Sequence, residues 1–80
     1  MEINLVYNKI IEKLETLHYH SVVEDLQVVV EGAATGSEAL TASGSYLSNL
    51  KNNDPLAYMS INELINDYLR YCKSNGLIIK

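Results

Sequence analysis

Three features of the sequence predict an all-α protein, a small four-helix up-down bundle with a short C-terminal apolar tail packed on its core. Apolar residues recur at steps of three and four along most of the chain, the period that lays them on one buried stripe of an α-helix. Short polar or glycine-bearing joints separate the stripes. One run, Val28-Val29-Val30, is β-prone, but a strand needs a partner and Leu77–Ile79 is too short to supply one. At 80 residues the chain is expected to form one domain, residues 1–80. A chain of this length buries roughly 60–65% of its unfolded surface, a thin margin for which dimerisation is a common remedy.

The first helix is expected from Glu2 to about His18, with Ile3, Val6, Tyr7, Ile10, Leu14 and Leu17 on its stripe. Lys9, Glu12 and Lys13 fall on its solvated side. His18-Tyr19-His20 ends it. Ser21, with Glu24 three residues on, forms a capping box that opens a second helix over Val22–Ala34. Gly36 can close that helix, and Thr35 or Ser37 can cap a third, with Glu38 three residues after Thr35. Leu40, Ser43, Leu47 and Leu50 carry the third stripe, with Gly44 and Tyr46 beside it. A glycine inside a helix costs about 1 kcal/mol against alanine, and close approach of another backbone is the expected reason for Gly44. Gly36, Leu40 and Gly44 lie four apart, so two small residues flank a leucine on a face that can receive a helix of this chain or of a second copy. Lys51-Asn52-Asn53 reads as a polar loop. The last helix, Asp54 to Gly76, has Ala57, Ile61, Leu64, Ile65, Tyr68 and Cys72 on its stripe. It carries two start signals, Asp54-Pro55 and the capping box Ser60/Glu63, which predict a kink or a short first turn over Pro55–Met59. Asn75-Gly76 is the stop. Leu77 should then pack back on Cys72 as in a Schellman cap, and Leu77, Ile78 and Ile79 should lie on the core.

The net charge is −4, and its layout is uneven. No Lys or Arg occurs between Lys13 and Lys51, whereas Glu15, Glu24, Asp25, Glu31 and Glu38 do. Phosphate backbones and anionic membranes require clustered cations, so neither nucleic acid nor a membrane surface is an expected partner. A basic protein is allowed; a merely solvated acidic face is the plainer alternative. No apolar run approaches the length of a membrane span. Glu2 precedes any lysine and polar residues break every apolar run, so a signal peptide is not expected. With a single cysteine, Cys72, the expectation is a cytoplasmic protein.

No arrangement points to catalysis or to a cofactor. Gly32-Ala33-Ala34-Thr35-Gly36-Ser37 lacks the spacing and the lysine of a phosphate loop, and Glu31 and Glu38 would repel an anion, so a helix–helix corner is expected. His18 and His20 have no second pair of ligands to complete a metal set. Ser43-Gly44-Ser45 is no nucleophile elbow, and Cys72 falls on a buried stripe. A bundle this small has little room for a ligand-sized pocket. The composition has one oddity: six Tyr with neither Phe nor Trp. Tyr7 and Tyr68 fall on buried stripes, whereas Tyr46, Tyr58 and Tyr71 are surface candidates with the amphipathic character that interfaces favour.

The run Asp67-Tyr68-Leu69-Arg70-Tyr71-Cys72-Lys73-Ser74-Asn75-Gly76, with the acidity, size and tyrosine content, resembles the four-helix immunity proteins that neutralise bacterial nuclease toxins. The resemblance covers the last third of the chain, has no motif to carry over residue by residue, and implies inhibition of a basic protein. The expected function is therefore a small acidic protein-binding module, an immunity- or antitoxin-like inhibitor, with Glu24, Asp25, Glu31, Glu38 and Tyr46 as the partner-binding residues. The rival is a homodimer without ligand chemistry, built on Gly36, Leu40 and Gly44. Neither needs a metal or a cofactor, and neither is an enzyme.

Overall fold

The computed structural model describes residues 3–77 and 79. They form five helices and, among the described residues, no strand: α1 Ile3–Thr16, α2 His20–Glu31, α3 Gly36–Asn53, α4 Pro55–Ser60 and α5 Asn62–Ser74. This is a small all-α bundle. α1 packs on α2 and α5, and α3 packs on α2, α4 and α5. The buried stripes meet in one core built from Val6, Ile10 and Leu14 of α1, Val22 and Leu26 of α2, Leu47 and Leu50 of α3, and Ile65, Tyr68 and Cys72 of α5.

The joints differ from the expected ones for identifiable reasons. α1 closes at Thr16 because His18 adopts a left-handed backbone (φ 65°), which donates back to Glu15 O at 3.0 Å while Tyr19 donates to Leu14 O at 2.9 Å. These two bonds make a Schellman cap with histidine in the place usually held by glycine. The chain leaves that cap straight into α2, so the helix begins at His20. The expected Ser21/Glu24 capping box does not form: Ser21 already lies inside the helix, and the N-cap residue Tyr19 makes no side-chain cap bond. α2 also ends earlier, with Gly32 at its C-cap, and Gly36 opens α3 instead of closing α2.

Thr35 caps α3 as expected, accepting from Glu38 N at 3.1 Å, while Glu38 Oε2 accepts from Ala34 N at 3.1 Å. Residues 51–53 belong to α3 and form no loop. Asp54 alone makes the next corner: its N–H donates to Leu50 O and closes α3, and its carboxylate accepts from Ala57 N and opens α4 ahead of Pro55. The expected break in the last helix is present, as α4 and α5 are separate and buried Ile61 stands between them. Ser60 does not cap α5, however; its hydroxyl donates to Leu56 O at 2.9 Å.

α5 ends as its sequence predicts. Gly76 is left-handed (φ 73°), and Leu77 N donates to Cys72 O at 2.9 Å, a second Schellman cap. Leu77 and Ile79 are half-buried on the core, and Ile78 lies outside the described residues. A β-carbon built at Gly44 would fall 2.5 Å from Ile79 Cδ1 and 3.5 Å from Tyr68 Cε1. The glycine therefore seats a side chain of the tail: the three atoms nearest to that position belong to the side chains of Ile79 and Tyr68, where another backbone had been expected.

Candidate functional site

The acidic residues singled out above lie on α2 and the start of α3. Glu24, Asp25 and Glu31 are all exposed on α2. Glu24 and Glu31, seven residues apart, share one stripe, with Val28 between them and Asp25 beside it. Val28 is 66% exposed, the most exposed aliphatic residue of that helix. It falls off the buried stripe formed by Val22, Val23 and Leu26. The sequence marks Val28 only as part of a β-prone run; its one signal as a surface residue is that it breaks the helical period of its neighbours.

Tyr46 ties this face to α3. Its half-buried phenol donates to Asp25 Oδ2 at 2.9 Å, a side-chain bond between α2 and α3. Burial, the bond to Asp25 and the negative charges of Asp25 and Asp54 push the Tyr46 pKa strongly up, so the phenol stays a neutral donor. Glu38 stands apart, at the far side of the 32–35 corner, where its carboxylate serves Ala34 N. Glu24, Asp25 and Glu31 thus share the exposed side of α2, and Tyr46 joins them through Asp25. α2 and the first fifteen residues of α3 contain no Lys or Arg to neutralise them.

The Gly36–Leu40–Gly44 series is split by its surroundings. Gly36 is exposed with open space around it, Leu40 is half-buried, and Gly44 is buried beneath Ile79 and Tyr68. Tyr68 is fully buried and donates to Leu40 O at 2.9 Å. Burial raises its pKa, and the neighbouring Ser43 hydroxyl pulls the other way. Ser43 nevertheless lacks hydrogen-bond geometry to Tyr68, and its Oγ is buried without a partner. Geometry decides here, because a hydroxyl that merely lies near an oxygen is not bonded to it.

The remaining candidates occupy scattered positions. Cys72 is fully buried, and burial raises its thiol pKa, which is the setting of a core residue and not of a nucleophile. The His18 and His20 rings meet edge to face, 5.7 Å apart. Among the described residues no group of three His, Cys, Asp or Glu side chains is placed to hold a metal ion, and no helix is long and apolar enough to cross a membrane. Tyr7, Tyr19, Tyr58 and Tyr71 are half-buried at the rim of the core. Contrary to the expectation for so small a bundle, ligand-sized grooves do open on its surface, each wide to solvent. No protein family, curated protein or solved structure matches the chain.

Proposed function

We propose that this protein is a small acidic binding module that docks a basic protein, in the manner of an immunity- or antitoxin-like inhibitor. The observation that carries the proposal is the outer face of α2, where Glu24, Asp25 and Glu31 surround an exposed Val28 and Tyr46 braces Asp25 at 2.9 Å. Unneutralised carboxylates steer a cationic partner and raise its association rate, while an apolar residue at their centre and a fixed phenol slow its departure. The module acts without chemistry of its own, with neither nucleic acid nor membrane as partner, in the cytoplasm, where a free thiol such as Cys72 persists.

The test is kinetic. A partner captured from native lysate should associate about tenfold more slowly with Glu24→Lys/Glu31→Lys than with the unmodified chain at low salt, and this difference should shrink as salt is added. An association rate indifferent both to salt and to these substitutions would sink the proposal. The homodimer keeps one supporting observation, the open space around Gly36, which leaves room for a second copy. Sedimentation at micromolar concentration decides it, since a strict monomer removes it.

A further inference from the structure

Asn75 stands at the C-cap of α5, and Gly76 follows it. It is the one asparagine in the chain with a glycine after it; the others lie in helices and precede a residue with a side chain. Asn75 and Gly76 are both exposed. The end of the helix nevertheless holds their reactive groups. Asn75 Nδ2 donates to Tyr71 O at 2.9 Å, and Gly76 N donates to Lys73 O at 3.2 Å. The same cap fixes the tail: Leu77 N donates to Cys72 O at 2.9 Å, and Ile79 lies over Gly44.

We propose that Asn75 and Gly76 form a self-modification site: when the cap of α5 opens, the Gly76 nitrogen attacks the Asn75 side-chain amide, and the acid that results keeps the cap from closing and releases the tail. Gly76 N gives its proton to solvent base and bonds to Asn75 Cγ. The Cγ–Nδ2 bond breaks, and the nitrogen leaves as ammonia after taking up a proton. Water then opens the cyclic succinimide at one of its two carbonyls, leaving either aspartate or isoaspartate at position 75. No electrons are exchanged, and water is the only co-reactant. Glycine favours the attack because its nitrogen is unhindered and its backbone pliable. In the closed cap both reacting groups are engaged with helix carbonyls, so the reaction follows the opening of the helix end, where local unfolding costs least. Neither product rebuilds the cap. A carboxylate has no hydrogen to donate to Tyr71 O, and it places negative charge at the negative end of the helix dipole. Isoaspartate also lengthens the main chain by one carbon, which shifts Gly76 N and Leu77 N away from the carbonyls they serve. The acidic face of α2 plays no part in these steps.

The full chain is incubated in mildly alkaline buffer, beside a sample unfolded in guanidinium chloride, and each is digested for peptide mass spectrometry. Asn75 should be the first asparagine converted to acid in both, with isoaspartate among its products. The folded chain should react roughly tenfold more slowly, because its cap must open first. The proposal is overturned if another asparagine of the folded chain is converted first. It is equally overturned if Asn75 stays intact in the folded chain once the unfolded chain is fully converted, or if folding does not slow the reaction. Release of the tail is read on Asn75→Asp, which carries the acid from the start at an exposed position. Its Leu77 amide should exchange with deuterium roughly tenfold faster than in the unmodified chain, while the helical circular dichroism persists. Unchanged exchange at Leu77 overturns the proposal. Should Asn75→Asp fail to fold, the converted fraction of the natural chain, separated by its added negative charge, gives the same reading.

Discussion

Gly44 shows how much one missing methyl group can organise. An alanine there would gain about 1 kcal/mol of helix propensity, but its β-carbon would press on Ile79 Cδ1 at 2.5 Å. The tip of an isoleucine can turn away, so Gly44→Ala should change stability by less than about 1 kcal/mol while loosening the tail. In an Ile79→Ala background the obstacle is gone, and the same substitution should stabilise by up to about 1 kcal/mol. Urea denaturation of the four chains measures the coupling; strictly additive effects would mean that Ile79 does not occupy this seat. The sequence marks Gly44 as a tight contact, because a mid-helix glycine needs a reason. What fills the space is not legible, since the answer lies thirty-five residues away in the tail. Ser43 is similar: its place on the third stripe predicts burial, but only the fold shows that its hydroxyl goes unmatched.

At the scale of the helix, starts and stops divide into those with local chemistry and those imposed by neighbours. Three Ser/Thr-x-x-Glu patterns occur, at Ser21, Thr35 and Ser60, and only Thr35 caps a helix. The four-residue corner at 32–35 leaves Thr35 free to adopt the extended backbone a cap requires. At the other two sites the preceding segment abuts the next helix, and the serine is drawn into helical turns. The two Schellman caps show the same contrast. Asn75-Gly76 announces its cap in the sequence, whereas His18 signals a left-handed residue far more weakly than a glycine does. A β-carbon in that conformation costs about 1–2 kcal/mol. His18→Gly should therefore raise stability by about 1 kcal/mol, a rise of roughly 4–8 °C in melting temperature for a domain of this size. An unchanged or lower melting temperature would show that His18 makes a compensating contact.

At the scale of the whole molecule, the buried phenols and thiol set the alkaline limit. Burial raises the pKa of Tyr7, Tyr46, Tyr68 and Cys72 above their ordinary values of 10.0 and 9.0. The folded chain thus holds these protons more tightly than the unfolded chain, and below about pH 9 their contribution to stability is complete. As pH rises past about 9–10, the unfolded chain sheds protons first and stability falls, until the folded groups titrate as well. Urea midpoints at pH 8, 10 and 11 should decline in that order, and a flat profile would show that the groups are not sequestered. The general architecture was readable because the apolar period is regular. The acidic face was readable only as composition, since the pairing of Asp25 with Tyr46 depends on how α2 turns back against α3. The connections carry a last consequence. Asp54 and Ile61 are single-residue hinges between rigid rods, so adding one residue at either would swing the following rod by about 100° and uncouple its greasy side from its mates. The crossing at 32–35 is the longest connection among the described residues, and an inserted reporter or affinity tag belongs there.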